Sequence, residues 1–187
     1  MSAKTLISVE AFDRLEEEEF RYELDEGELI TMTRPRLRHS RIEGNLYFAL
    51  RSYLERNPIG EVVGADILFV LGPATKRAPD VSVVFRPTNP GEEIQGAPEI
   101  AAETLSPSNT RRAMQRKLAQ FFDTGCKLAW IIDPKTRTVE VWESAAGPSQ
   151  MLRETDSLET PLLPGFTCPI SKLFANNTEI SLDAKLV

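Results

Sequence analysis

Residues 98–133 read PEIAAETLSPSNTRRAMQRKLAQFFDTGCKLAWIID. This stretch decides the fold, because it holds two apolar strands with a helix between them. PEIAAETLS is a run of small and branched residues, and KLAWIID is a second apolar run. Between them, Met114, Leu118, Phe121 and Phe122 recur at helical spacing from residue 110 to 123, and Thr124-Gly125 ends the pattern. A strand–helix–strand unit of this kind prefers a parallel strand pair joined by a right-handed crossover. Two residues do not suit a plain core. Glu103 interrupts the first strand, and Lys117 falls beside Phe121 at the edge of the apolar arc of the helix. Strand interiors and apolar helix faces exclude charge unless it is paired.

The flanking sequence builds outward from this unit. SVEAFDRLEE predicts a short helix capped by Ser8, with Ala11 and Leu15 on one face. RYELDEGELITM predicts a hairpin turning at DEG. Ile42, Leu46, Ala49, Leu50 and Leu54 predict a helix over 40–56, stopped by Asn57-Pro58. EVVGADILFVLG, PDVSVVF and TVEVWE read as strands. The tail holds a short strand near MLRE, then LLPGF, then a small helix at PISKLF. These elements predict an α/β protein: one domain over residues 1–187, with a mixed central β-sheet flanked by helices and an N-terminal helix and hairpin. Trp130, in an otherwise apolar strand, is expected in the core.

Composition excludes several classes. Apolar residues make up 41% and charged residues 27% of the 187 residues, which is ordinary for a globular protein. No apolar stretch approaches the ~20 residues of a membrane span, and MSAKTLISVEAFDRLEEEEF has no signal-peptide pattern. Cys126 and Cys168 lack metal-site spacing, so a reduced, cytoplasmic protein without membrane contact is expected. The formal net charge of −6 argues against nucleic-acid binding by the whole surface, but not by a local basic cleft. RPRLRHSR carries Arg34, Arg36, Arg38, His39 and Arg41, and TRRAMQRK carries Arg111, Arg112, Arg116 and Lys117. Taken alone, such runs read as solvated surface charge. The acidic residues gather in LEEEEF and GEE.

Three residues in chain order point to chemistry. Asp80 follows Pro79 at the entry of the VSVV strand, Glu103 lies on the next strand, and Lys117 lies on the helix after that. Two carboxylates from adjacent strands can hold a hard divalent cation. A nearby lysine can orient or deprotonate a water, or stabilise the charge of a phosphoryl transition state. Each residue also has a plainer reading. Asp80 can cap a turn after proline, Glu103 can be a solvent-facing strand end, and Lys117 can lay its stem over the core with its ammonium in water.

The ordered set Pro-Asp, Glu, Lys resembles the PD-(D/E)XK nuclease superfamily. More narrowly, the chain resembles the Uma-two family of restriction-endonuclease-like proteins (domain of unknown function 820). The matching stretches are RYELDEGELI, RHSRI, APDVSVV, ETLSPSNTRR, RKLAQFFDTGCKLAWIIDP and LLPGF. The resemblance implies a restriction-endonuclease-like core and a divalent metal, Mg²⁺ or Mn²⁺. Asp80 and Glu103 would be its ligands and Lys117 the catalytic lysine, with Glu23 joining the acidic cluster. It also places His39 and the arginines beside it near the site, with a phosphate contact as the role of His39. Capping of the 40–56 helix is the alternative for that residue.

The chain departs from the superfamily pattern in one place and from the family's in two. The lysine expected two residues after the glutamate is Leu105, so Lys117 must serve from the helix. An acidic residue four positions before the lysine is Ala113, and a tyrosine four positions after it is Phe121. The expected function is a Mg²⁺-dependent DNA endonuclease in which Arg34, Arg36, Arg38 and Arg41 contact phosphates, working as a monomer or a homodimer. The alternatives are a catalytically weakened nucleic-acid-binding or interaction module on the same fold, and a hydrolase of another phosphate ester.

Overall fold

A computed structural model of the chain describes residues 6–15, 22–32, 34–85, 93–107 and 109–176. Most of the acidic LEEEEF stretch, the first two residues of GEE and Ser108 lie outside these residues. In chain order the elements are α1 (Val9–Phe12), β1 (Tyr22–Asp25), β2 (Glu28–Thr31), α2 (Leu37–Leu54), β3 (Glu61–Val63), β4 (Phe69–Gly72), β5 (Thr75–Arg77) and β6 (Val81–Val84). They continue with β7 (Ile94–Gln95), β8 (Ile100–Thr104), α3 (Arg111–Asp123), β9 (Leu128–Asp133), β10 (Thr138–Trp142), β11 (Pro148–Leu152), β12 (Ser157–Leu158), β13 (Cys168–Pro169) and α4 (Ile170–Leu173).

The strands form two large sheets where the sequence reading expected one. The first has the order β11-β10-β9-β8-β6-β3, and the second β2-β1-β5-β4-β7; β12 and β13 pair separately. The division arises at EVVGADILFVLG. That run is not one strand but two, β3 and β4, in different sheets. The turn between them contains Asp66 at φ 74°, a left-handed conformation that breaks a continuous strand.

β8 and β9 pair in parallel, from Ile100↔Leu128 to Thr104↔Ile132, and α3 makes the crossover. All five residues of β8 are buried, as expected for a parallel central strand covered on both faces. Alternation then divides the core. Ile100, Ala102, Trp130 and Ile132 pack against Ile42, Leu46 and Leu50 of α2. Ala101, Ala129 and Ile131 pack against Met114, Leu118 and Phe121 of α3. Leu118 and Phe121 are fully buried. Burial of a side chain of this kind is worth roughly 1.5–3 kcal/mol, so these two largely fix where α3 sits on the sheet.

The smaller elements differ in detail from the expectation. In α1 the buried residues are Val9 and Phe12, not Ala11 and Leu15, while Ser8 Oγ does accept the Ala11 N–H at 3.3 Å. The β1–β2 hairpin turns at Glu26-Gly27, both with positive φ (49° and 86°), as a two-residue turn between twisted strands demands. A side chain at Gly27 would also meet Leu6, whose Cβ would lie 2.9 Å from an added Cβ. Among the described residues, no helix is long and apolar enough to cross a membrane.

Candidate active site

The site forms at the end of β8, where the two faces of the sheet meet. Val81 pairs with Ala102 in the antiparallel β6–β8 ladder, so extending the register by one residue sets Asp80 opposite Glu103. Directly opposed residues share a face and stand about 5 Å apart at Cβ. The Thr104 N–H donates to Asp80 Oδ2 at 2.6 Å, which ties the Asp80 carboxylate to the end of β8. Strand pairing thus explains why residues 23 positions apart meet.

Lys117 reaches this pair from the α3 side. Its Nζ lies 2.6 Å from Glu103 Oε1 and 2.8 Å from Glu23 Oε1, and it donates to the Ala78 carbonyl at 3.0 Å. Its stem lies along Phe121, with Nζ 5.8 Å from the ring centroid. Residues 101, 103 and 105 share one face of β8, and Leu105 packs into the apolar cluster of α3. The position that would carry a strand-borne lysine therefore belongs to the helix contact, and the helix returns a lysine to the same face. Burial works against the charge of Lys117, but Glu103, Glu23 and Asp80 outweigh it and hold its pKa above the usual lysine range. It is an ammonium at neutral pH.

Glu23 is held on every side. Its Oε1 accepts from the Ala78 N–H at 2.9 Å, and its Oε2 lies 3.0 Å from Arg77 Nη1. Burial alone would raise its pKa, but Lys117 and Arg77 bring it below the usual range. Arg77 is the hub of a larger network. Its Nη2 lies 2.7 Å from Asp25 Oδ2, and its Nε donates to Gln120 Oε1 at 2.8 Å. Gln120 in turn donates to Asp25 Oδ1 at 2.8 Å, and Arg116 Nε lies 3.1 Å from the same oxygen. β1, β5 and α3 are joined by these charges. Neither Arg77 nor Asp25 was singled out in the sequence, because β5 (TKR) shows no apolar alternation. Its Lys76 and Arg77 are nevertheless 3% and 4% exposed.

Glu103 is the residue best suited to a cation. It is buried, and its Oε1 lies 2.6 Å from the Lys117 ammonium. Burial, with the neighbouring Asp80 and Glu23, raises its pKa to about 8 against the pull of Lys117. Two carboxylates on adjacent strands suit a hard divalent ion, so the residues present fit the metal that the resemblance implies. The raised pKa has a consequence for the metal-free protein. Between the ordinary 4.5 and about 8, the folded state keeps a proton that the unfolded state has lost, so stability falls as pH rises through that window. In EDTA, Glu103→Gln should therefore gain in melting temperature over wild type progressively from pH 5 to pH 8.5. An equal difference at both pH values would show that Glu103 is not strained when ionised.

On the other face of the sheet, α2 brings His39 and Glu43 to Asp80. His39 Nε2 lies 2.6 Å from Glu43 Oε1 and 3.4 Å from Asp80 Oδ2. Burial disfavours its charge, but Asp80 and Glu43 raise its pKa to about 10. Its Nε2 thus faces carboxylates. The capping alternative for His39 is corrected, because α2 begins at Leu37 with Arg36 at the N-cap. Glu43 was missed, although its spacing of four from His39 was the signal available.

Among the arginines, Arg34, Arg36 and Arg38 are exposed. Arg38 donates to the Pro134 carbonyl and Arg41 to Asn176 Oδ1, so each commits a nitrogen to the protein itself. Ala113 is exposed at the third position of α3, and its N–H donates to the N-cap Thr110 Oγ1 at 3.1 Å. An acidic residue there would complete a capping box, so its absence bears on the start of the helix rather than on the site.

Known proteins resemble the chain in sequence and in fold. The Uma2 family, described as "Putative restriction endonuclease", matches over residues 9–171. Among solved structures, the chain is similar to a crystal structure from Anabaena variabilis described as "a putative nuclease belonging to DUF820". The two are 24% identical with a TM-score of 0.75, over 90% of this chain and 97% of that one. At that identity the likeness is one of fold. No curated protein matches the chain. The family match takes in β1, α2, β6, β8 and α3, every element that supplies a residue to the site, and the chain belongs to the Uma2 family.

Proposed function

We propose that the protein is a metal-dependent nuclease that hydrolyses DNA phosphodiester bonds. The observation that carries this reading is the Lys117 ammonium held 2.6 Å from Glu103 on the strand whose neighbour supplies Asp80. Asp80 and Glu103 would hold Mg²⁺ or Mn²⁺. When bound, the ion would polarise the phosphodiester and offset its developing charge. Lys117 donates from an ammonium, which suits stabilisation of negative charge on a phosphoryl oxygen rather than removal of a proton. Glu23 and the Ala78 carbonyl aim Nζ, which makes Glu23 a positioning residue rather than a metal ligand. The exposed Arg34, Arg36 and Arg38 are proposed to meet the DNA backbone, so binding should weaken steeply with salt. The chain is further proposed to act as one restriction-endonuclease-like domain in the cytoplasm, as a homodimer where both strands are cut.

The test is nicking of supercoiled plasmid with Mg²⁺ or Mn²⁺. Wild type is expected to nick, and Asp80→Ala to fall to background while retaining its fold by circular dichroism. Absence of metal-dependent nicking by wild type defeats the proposal, and nicking that survives Asp80→Ala comes from a contaminant. A binding or interaction module is the second reading. It is favoured by the enclosure of Lys117 and Glu103, and it predicts DNA retention without cleavage.

A further inference from the structure

Asp80 is gripped at one oxygen by two different elements. From β8, the Thr104 N–H donates to Oδ2 at 2.6 Å. From α2, His39 Nε2 stands 3.4 Å from the same oxygen. Among the described residues, Asp80 Oδ1 has neither a hydrogen bond nor an ion pair. The terminal torsion of an aspartate is soft, so a single hydrogen bond to Oδ2 leaves Oδ1 free to swing about it. A second contact to Oδ2, arriving from another element, removes that freedom.

The His39 ring is itself held. Glu43 stands one helical turn further along α2, on the same face, and its Oε1 lies 2.6 Å from Nε2. Two atoms that both presented lone pairs would repel at that distance, so Nε2 bears the proton. A histidine that only tied α2 to the sheet would need Asp80 alone. A partner on its own helix adds nothing to such a tie, but it fixes the plane of the ring. We propose that His39, anchored by Glu43, is a positioning residue for Asp80, and that it holds the carboxylate so that Oδ1 is the oxygen presented to a divalent cation. This role rests on the nuclease reading, in which Asp80 is a metal ligand, and it assigns His39 and Glu43 no bond to the ion.

Calorimetric titration with Mg²⁺, in the absence of DNA, reads the positioning directly. His39→Ala should bind Mg²⁺ about tenfold or more weakly than wild type, as expected when a residue that orients a metal ligand is lost. His39→Gln should recover most of that affinity and His39→Asn should not. A glutamine amide nitrogen reaches the place of Nε2, whereas an asparagine amide reaches only that of Nδ1. Glu43→Gln, which lets the ring turn, should fall between wild type and His39→Ala. A tie that is merely structural would lower the melting temperature of these variants and leave the Mg²⁺ affinity of the folded protein unmoved. In plasmid nicking, the same order should appear in the Mg²⁺ concentration required, with the KM for DNA unchanged. Mg²⁺ affinity of His39→Ala equal to or above that of wild type overturns the role, and so does a wild type that binds no Mg²⁺. Weakened Mg²⁺ binding by His39→Ala in a protein that cuts no DNA upholds the role and defeats the nuclease reading. Metal-dependent cleavage with an affinity unmoved by His39→Ala does the reverse.

Discussion

Lys117→Met is expected to lower Mg²⁺-dependent DNA cleavage by about 10²–10³-fold, the cost of removing one preorganised charge stabiliser. Methionine keeps the stem over Phe121 and removes only the ammonium, so docking of α3 through Leu118 and Phe121 should survive. The same substitution leaves Glu103 and Glu23 without their shared cation. Mg²⁺ should therefore bind at least as tightly as to wild type, because the ion becomes the main counter-charge for Glu103. Single-turnover cleavage alongside calorimetric Mg²⁺ titration separates the two effects. A rate within a few-fold of wild type would remove Lys117 from the chemistry. Lost Mg²⁺ affinity would mean that it had acted by shaping the acid pair.

Arg77→Ala should be the most damaging single change to stability. Arg77 is 4% exposed and faces Glu23, Asp25 and Gln120 at once. Removing one partner of a buried ion pair costs about 3–5 kcal/mol, because the other charge stays buried without compensation. At about 2–4 °C per kcal/mol for a domain of this size, the melting temperature should drop by about 10 °C. Arg77→Lys should recover little of it, since an ammonium cannot reproduce a guanidinium fork that meets two carboxylates and an amide. A drop of under 3 °C by differential scanning calorimetry would show that Arg116, Gln120 and Lys117 suffice to hold the two acids.

The strand–helix–strand unit was legible because its apolar residues follow the periods of their elements, and the parallel β8–β9 pair follows from that order. Lys117 was legible because the helix period places it next to Phe121. Asp80 and Glu103 were legible as unusual charges, and the β6–β8 register explains their meeting. What stayed hidden was held by charge rather than by apolar pattern. β5 buries Lys76 and Arg77 through partners distant in the sequence: Asp13 and Glu93 for one, Glu23 and Asp25 for the other. Such long-range pairing leaves no local period to read. Glu43 was hidden for a related reason, since a charge on a helix flank usually faces water. The single-strand reading of 61–72 failed at Asp66, whose left-handed backbone conformation has no hydrophobic signature.

Placing the site lysine on a helix changes what holds it. A lysine at Leu105 would be fixed by the sheet's own hydrogen-bond ladder, since the Leu105 N–H donates to the Ile132 carbonyl at 2.8 Å. Lys117 is fixed instead by the fit of Met114, Leu118 and Phe121 against β8 and β9. The geometry around Lys117 is thereby set by one helix's grip on the sheet, so a change in the packing of α3 would move the ammonium while leaving the β-ladder intact.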